Sequence, residues 1–200
     1  MPGLLFVLSG PSGAGKSTVR KAVMEQCEGL KYSVSFTTRV RREGEREAVD
    51  YFFVDDTTFQ QMKENNMFIE WAKVHGNFYG TPRLKMEEWL LSGYDVILEI
   101  DVQGALQVKR NYPQGIFVFI APPSLETLGE RLRNRKTDRE DVVYLRMMNA
   151  LIEMKSIRDY DYLIINNLLE ETVHKFHSVI IAERCRIRYG EDETQELVSE

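Results

Sequence analysis

Residues 10–17 read Gly10-Pro11-Ser12-Gly13-Ala14-Gly15-Lys16-Ser17, which matches the phosphate-binding pattern G-x-x-x-x-G-K-[ST] at every fixed position. A continuously apolar run at residues 4–8 precedes this loop and predicts a strand that is buried on both faces. Residues 16–27 follow with apolar side chains at helical spacing, and they predict a helix that ends near Gly29. A strand, a glycine-rich loop and a helix in this order predict a nucleotide-binding α/β domain.

Each fixed residue of the loop has a chemical reason. The glycines let consecutive backbone N–H groups point at phosphate oxygens, and the helix N-terminus adds the positive end of its dipole. Lys16 supplies a cation for the β- and γ-phosphates, while the Ser17 hydroxyl can bind Mg²⁺. The alternative is an ordinary glycine-rich turn between strand and helix. The motif and its context together favour a nucleotide site.

The rest of the chain continues the alternation of strands and helices. Strands are predicted at residues 96–100, 116–121 and 162–165. Helices are predicted after the cap Thr81 with Pro82 at the first position, from Gly104, after the cap Ser124, and over 138–158 and 170–188. This order predicts a mostly parallel sheet flanked by helices.

Residues 32–80 break the alternation. Strands are predicted at 32–36, 51–54 and 68–74, with one helix at 57–65. We therefore expect an inserted lobe with its own small mixed sheet.

Composition limits the function classes. The 200 residues suit a single folded domain, and 26 Lys plus Arg against 31 Asp plus Glu give a net charge of −5, which disfavours nucleic-acid binding. Cys27 and Cys185 fit neither a disulfide framework nor a zinc site. No apolar run approaches the ~20 residues of a membrane span, and the N-terminus lacks signal-peptide features. We expect a cytoplasmic protein with no nucleic-acid or membrane partner; whether it is a monomer or a homo-oligomer is left open.

Arginines are concentrated in two clusters, where guanidinium groups can pair with phosphate. The alternative is a solvated helix face neutralised by neighbouring acids. We predict anion binding for Arg131, Arg135 and Arg146 and the solvated alternative for Arg133 and Arg139. One arginine cluster consists of Arg39, Arg41 and Arg42, and the other lies within residues 131–146.

The histidines lie in no triad-like setting.

Several segments resemble guanylate kinases, in the order that this family has them, from about residue 4 to residue 184. They include Ser33-Val34-Ser35-Phe36-Thr37-Thr38-Arg39, Arg42-Glu43-Gly44-Glu45, Asp50-Tyr51-Phe52-Phe53-Val54, Phe68-Ile69-Glu70-Trp71-Ala72, Asn77-Phe78-Tyr79-Gly80-Thr81 and Glu99-Ile100-Asp101-Val102-Gln103-Gly104. The resemblance implies Mg²⁺-dependent transfer of the ATP γ-phosphoryl group to GMP, with dGMP as a further expected acceptor. It also implies one domain over 4–184, with a P-loop nucleoside-triphosphatase-type core (4–31, 94–124 and 150–188), a GMP-binding lobe (32–93) and a helical lid (125–149). Residues 189–200 are expected to form a separate C-terminal tail.

The resemblance assigns roles to individual residues. For GMP it implies guanine recognition by Ser35, Glu70, Thr81 and Asp101, and phosphate binding by Arg39, Arg42, Tyr51 and Tyr79. For ATP it implies residues 10–17 with Thr18, Arg131, Arg135 and Asn166, and for Mg²⁺ it implies Ser17 with phosphates and waters. The residues implied in catalysis are Lys16, Arg39, Arg131, Arg135 and Arg146.

The chemistry of guanine agrees with this assignment. Guanine presents two donors, N1–H and the N2 amine, beside the O6 acceptor. A carboxylate such as Glu70 accepts from both donors, while a Ser35 or Thr81 hydroxyl donates to O6. Adenine would leave the buried carboxylate unpaired, at a cost of roughly 1–3 kcal/mol or more.

Four positions depart from the family pattern. Arg41 stands where proline is common, Ala48 stands near a usual glycine, Lys136 replaces the glycine after the lid arginine, and Phe36 takes a place often held by serine. Either Arg41 or Arg42 could reach the GMP phosphate, and the spacing that the family keeps favours Arg42. Two rival hypotheses are a phosphopeptide-binding scaffold domain, which usually has a damaged phosphate loop, and a kinase for another nucleoside monophosphate, which would lack the Ser35, Glu70 and Asp101 set.

Overall fold

A five-stranded parallel sheet forms the centre of the molecule. The computed structural model describes residues 2–74, 76–134 and 140–187. The strands are β1 (Leu5–Ser9), β2 (Leu30–Tyr32), β7 (Asp95–Glu99), β8 (Ile116–Ala121) and β9 (Tyr162–Ile165), in the order β2-β7-β1-β8-β9. Every pairing in this sheet is parallel. The predicted parallel α/β core is thereby confirmed.

The insertion has its own four-stranded mixed sheet, as predicted. Its strands are β3 (Phe36–Thr37), β4 (Phe52–Phe53), β5 (Phe68–Val74) and β6 (Asn77–Pro82), in the order β4-β3-β6-β5. The β3–β4 pair is parallel, and the other two pairs are antiparallel. The single strand predicted at 32–36 is wrong, because the chain leaves the first sheet at Tyr32 and enters the second at Phe36.

Seven α-helices lie in the described part of the chain. They are α1 (Lys16–Met24), α2 (Asp56–Glu64), α3 (Arg83–Leu91), α4 (Val102–Asn111), α5 (Leu125–Asn134), α6 (Glu140–Glu153) and α7 (Leu169–Arg184), and a 3₁₀ helix (Met154–Asp159) follows α6. The helix predicted at 138–158 therefore changes type after Glu153. Asp138, the first residue of that predicted helix, lies outside the described residues, as do His75, Lys136, Arg139 and the tail at 189–200.

Two helix starts differ from the sequence prediction. Thr81 does not cap α3, because it belongs to β6 and is fully buried; Pro82 occupies the cap position instead. Helix α4 begins earlier than Gly104, since the Asp101 side chain accepts a hydrogen bond from the Gly104 N–H and caps a helix starting at Val102. The predicted cap Ser124 is confirmed, with its Oγ accepting from the Thr127 N–H at 3.1 Å.

Strand β1 is buried on both faces because its alternate side chains enter two different cores. Phe6 and Leu8 pack with the helices α1 and α7, while Leu5 and Val7 pack with residues of α3 and α4. The loop after β1 therefore begins at the carboxyl edge of a central strand, where ligands bind in open parallel sheets. None of the described helices has the length and apolar character needed to cross a membrane.

Candidate functional site

All three glycines of the phosphate loop have a positive φ, and at Gly10 and Gly15 an added Cβ would lie nearest to a neighbouring atom. Gly10 has φ +138°, and a Cβ there would lie 2.0 Å from the Ile120 carbonyl oxygen. Gly15 has φ +92°, caps α1, and would place a Cβ 2.3 Å from Nδ2 of Asn166. Any side chain at either position would combine a strained backbone with a clash. The loop conformation is therefore built into the sequence.

Lys16 folds back onto the loop. Its Nζ donates to the carbonyl oxygens of Gly10 at 2.6 Å and Pro11 at 3.1 Å. The ammonium group thus lies over the loop in which phosphate oxygens are expected. Arg146 of α6 reaches the same loop, with its Nη1 donating to the Ser12 Oγ at 3.5 Å.

Glu99 was not singled out by the sequence analysis, although it lies at the end of β7 beside β1. Its carboxylate accepts a hydrogen bond from the Ser17 hydroxyl and forms a 2.9 Å ion pair with Nε of Arg20. The Arg20 guanidinium also lies 3.6 Å from the centroid of the Tyr32 ring. An acidic residue that ends a buried strand next to the loop-bearing strand was the available signal.

A cleft of about 590 Å³ connects the loop with the inserted lobe. The predicted site residues that line it are Gly10, Ser12, Gly13, Gly15, Lys16, Ser17, Thr18, Ser35, Arg39, Arg42, Tyr51, Glu70, Tyr79, Asp101 and Arg146. Pro11, Ala14, Thr81, Arg131 and Asn166 are not among its lining residues, and Arg135 lies outside the described residues.

A buried polar cluster closes the lobe side of the cleft. The Thr81 hydroxyl donates to Oε1 of Glu70 at 2.6 Å, and the Ser35 and Thr81 hydroxyls lie 3.1 Å apart. Burial raises the pKa of the Glu70 carboxyl to about 8, against the hydrogen bond from Thr81 and with a further rise from Asp101. Burial also raises the pKa of Asp101. The hydrogen bond that Asp101 accepts from the Gly104 N–H and the positive charge of Lys16 both oppose this rise. The two carboxyls create a strong local demand for hydrogen-bond donors.

A second cluster gathers cationic and phenolic groups. Arg39 forms a 2.7 Å ion pair with Glu45, whose other oxygen accepts from the Arg42 N–H at 2.8 Å. The Tyr51 and Tyr79 ring centroids are 5.8 Å apart, and the Arg39 guanidinium lies 5.5 Å from the Tyr51 ring. Glu45 was quoted in the sequence but given no role, because its bonds depend on how the loop folds.

In the loop that carries these residues, Ala48 occupies a backbone conformation that favours glycine. Arg41 is exposed and does not line the cleft, whereas Arg42 is half-buried and does. Ala48 adopts φ +59°, in the left-handed region, near the place where the resemblance to the family implies a glycine. The chain therefore keeps the turn and accepts local strain.

Two residues near the loop, one in α5 and one directly after β9, differ in how their polar atoms are satisfied. The buried Asn166 donates from Nδ2 to the Ala14 carbonyl oxygen at 2.7 Å and so supports the loop from behind. Arg131 Nη2 donates to the Asn166 carbonyl oxygen at 3.0 Å, while its buried Nη1 has no hydrogen-bond partner among the described residues. Arg133 forms a solvent-exposed ion pair with Glu140, in line with the solvated interpretation.

Comparisons with known proteins agree with this architecture. The family model described as "Guanylate kinase" matches residues 3–183. A guanylate kinase of Desulfitobacterium hafniense is 45% identical over 93% of both chains, and one of Carboxydothermus hydrogenoformans is 49% identical over 92% of this chain and 90% of its own. The crystal structure of guanylate kinase from Anaplasma phagocytophilum superposes with a TM-score of 0.82 at 34% identity, covering 98% of this chain and 94% of that one.

Proposed function

Since this chain belongs to the guanylate kinase family, we propose that it transfers the γ-phosphoryl group of ATP to GMP, giving ADP and GDP, in a Mg²⁺-dependent reaction of purine nucleotide metabolism in the cytoplasm. The observation that carries the proposal is the shared cleft. Lys16 of the phosphate loop and the buried Glu70 of the lobe line the same 590 Å³ space. A triphosphate on the loop and a guanine on Glu70 would therefore face each other.

Guanine recognition rests on the buried carboxyl groups. Glu70, when ionised, accepts hydrogen bonds from N1–H and the N2 amine, and the Ser35 hydroxyl supplies a donor for O6, because the Thr81 proton is donated to Glu70. Asp101 adds a second acceptor nearby. Adenine has no N1–H, so that it would leave a buried charge without a partner at a cost of about 1–3 kcal/mol or more. This cost selects GMP over AMP.

The GMP phosphate is bound by the second cluster. Arg39 and Arg42 provide guanidinium donors and Tyr51 and Tyr79 provide hydroxyl donors, all four lining the cleft. Arg39 donates from Nη2 to Glu45 and from Nη1 to the Val40 carbonyl oxygen, each at 2.7 Å, so phosphate oxygens would bind to N–H groups of the guanidinium that these two bonds do not use. dGMP is a further proposed acceptor, because no ribose contact enters this argument.

ATP is bound by residues 10–18 together with the lid arginines. Backbone N–H groups of the loop and Lys16 hold the β- and γ-phosphates. Among the described residues, the buried Nη1 of Arg131 has no hydrogen-bond partner, and a phosphate oxygen would satisfy this cationic donor. Arg135 and Arg146 complete the proposed lid set, and Asn166 holds the loop that the phosphates touch.

The donor set at Ser17 fits a magnesium ion. The Ser17 hydroxyl and the Glu99 carboxylate are adjacent oxygen donors, and Mg²⁺ is commonly held by one or two protein oxygens plus substrate phosphates and waters. No cluster of three or more His, Cys, Asp or Glu suited to a metal occurs among the described residues, so the nucleotide would supply the remaining ligands. When bound, the ion would neutralise charge on the transferring phosphates.

No catalytic base is needed for this reaction. A phosphate monoester has its second pKa near 6, and the acceptor is therefore mostly dianionic at pH 7. The protein's task is to hold two anions in line and to neutralise their charge, for which Lys16, Arg39 and Arg146 face the cleft.

Substituting Glu70 by glutamine tests the proposal. Glu70→Gln keeps one acceptor but directs an NH₂ group at guanine donors, and it should raise the KM for GMP roughly ten- to hundredfold while leaving the KM for ATP near wild type. Glu64→Gln, an exposed carboxylate in α2, is the matched control. Both kinetic constants are measured from ADP release. If the KM for ATP rose as much as the KM for GMP in Glu70→Gln, Glu70 would have a structural role. If the wild-type protein released no ADP in the presence of GMP, the kinase function would be contradicted.

A further inference from the structure

One face of α4 is directed at the strand that carries Glu70. Asp101, Gly104, Gln107 and Asn111 follow each other at intervals of three, three and four residues, so they lie on the same side of the helix. Each of the four contacts β5 or lies beside the Glu70 carboxylate. This face joins the core to the lobe.

Gln107 binds the backbone of β5 in the way that a neighbouring strand would. Its Nε2 donates to the Trp71 carbonyl oxygen at 2.7 Å, and its Oε1 accepts from the Trp71 N–H at 3.3 Å. Strand β5 is at the edge of the second sheet, where the backbone groups on its outer side have no partner among the strands that the structure describes. The amide therefore satisfies both groups of the residue that follows Glu70.

Asn111 makes the corresponding contact on the other side of Glu70. Its Nδ2 donates to the Ile69 carbonyl oxygen at 3.3 Å. The residues before and after Glu70 are thus both hydrogen-bonded to α4. The Glu70 backbone is fixed relative to a helix of the core, and not only to its own sheet.

The same helix face determines where the Glu70 side chain lies. A Cβ at Gly104 would be 2.4 Å from Oε2 of Glu70 and 3.2 Å from Oδ1 of Asp101, so the two carboxyls meet over this glycine. Asp101 is itself fixed, because it caps α4. The distance between the two carboxyls therefore depends on how β5 is held against the helix.

We infer that Gln107 is a positioning residue for recognition of the phosphoryl acceptor, GMP. By hydrogen bonding to both the N–H and the C=O of Trp71, it sets the position of Glu70 relative to Asp101 and thereby the fit of the guanine base. The inference rests on the proposed guanine-binding role of Glu70 and Asp101. Gln107 itself does not line the cleft, so it acts through the strand and not by touching the nucleotide.

The chemistry requires an amide at this position. A glutamine supplies one donor and one acceptor with a single planar group, which matches the N–H and C=O of Trp71. An ionised glutamate of nearly equal size can only accept, and a leucine can do neither. The three side chains therefore form a graded series in which volume changes little and the hydrogen bonds are removed in steps.

The experiment compares Gln107→Glu and Gln107→Leu with Gln61→Leu, the same substitution at an exposed site in α2. We measure the KM for ATP, the KM for GMP, and the ratio of kcat/KM for GMP over IMP, which lacks the N2 amine. Gln107→Leu should raise the KM for GMP about tenfold and lower the GMP-to-IMP ratio. Gln107→Glu should give an intermediate effect, and the KM for ATP should stay near wild type in both.

A merely structural role would affect both substrates alike and would leave the GMP-to-IMP ratio unchanged, and that result would overturn the inference. If Gln107→Leu does not fold, as judged by circular dichroism, Gln107→Glu carries the same test. Wild-type GMP affinity in the folded Gln107 variants would also overturn it. Glu70→Gln, measured in parallel, separates the two failures, because an unaffected KM for GMP in that variant contradicts the guanine site itself.

Discussion

Gly104 lies in the first turn of α4, against the carboxylate of Glu70, and Gly104→Ala exploits that contact. The added Cβ would be 2.4 Å from Oε2 and 3.0 Å from Cδ of Glu70. Ordinary contacts between such atoms are about 3.5 Å, so the carboxylate must move by about 1 Å. Because it is the end of a flexible side chain, it can move without disrupting the core.

The expected effects on stability and on recognition are opposite in sign. Within a helix, alanine is favoured over glycine by about 1 kcal/mol, which offsets the repacking of Glu70 and should leave the Tm near or above that of the wild type. A displaced carboxylate loses its alignment with the guanine donors, and hydrogen bonds to charged groups contribute about 1.5–3 kcal/mol. The Kd for GMP should therefore rise roughly ten- to hundredfold.

Calorimetric titration with GMP and with a non-hydrolysable ATP analogue, together with a thermal melt, measures these effects. Gly115→Ala is the matched control, because that glycine does not line the cleft and its Cβ would meet the Tyr112 carbonyl oxygen at 3.2 Å. GMP affinity within twofold of wild type in a folded Gly104→Ala protein would refute the reasoning. An equal loss of affinity for the ATP analogue would refute it as well.

Three further predictions follow from the site. Glu70 has a pKa of about 8 in the free protein and must be ionised to accept hydrogen bonds from guanine. The GMP affinity, measured by calorimetry, should therefore rise from pH 6 to pH 8 and level off above pH 8. A Glu70→Gln variant whose GMP affinity has the same pH dependence would contradict this. Arg42→Met should raise the KM for GMP strongly and Arg41→Met only slightly, because only Arg42 lines the cleft; steady-state kinetics with the opposite ranking would show that the loop register is wrong. Ala48→Gly should raise the free energy of unfolding by about 1 kcal/mol, since it relieves a positive φ; a lower value in urea denaturation would show that no strain is stored there.

The parts of the fold that could be predicted are those determined by local sequence. The glycines before Lys16 predict the conformation of the loop, and the unbroken apolar run of β1 predicts that this strand is buried. Strand β6 was not predicted, because Gly80 and Pro82 both disfavour strands. It forms because β3 and β5 pair with it from both sides, and those contacts cannot be read from the residues themselves.

The site shows the same division between local and tertiary information. Glu45, Glu99 and Gln107 are ordinary polar residues in the sequence, and each receives its role from a partner brought close by folding: Arg39, Ser17 and the Trp71 backbone. Only Glu99 carried a usable signal, since it ends a buried strand at the ligand-binding edge of the sheet. Residue type and spacing alone assign no partner to the other two.

Asn166 illustrates how far a topological rule reaches. It follows β9, and the rule that ligands bind beyond the carboxyl ends of parallel strands predicts that it lies at the nucleotide edge. The rule does not say which atoms its side chain contacts. In the fold, its amide is directed at the Ala14 carbonyl oxygen, and its Nδ2 fills the space that a side chain at Gly15 would need. A contact with ATP remains a prediction, whereas its bond to the loop makes the glycine at position 15 and the amide at position 166 depend on each other.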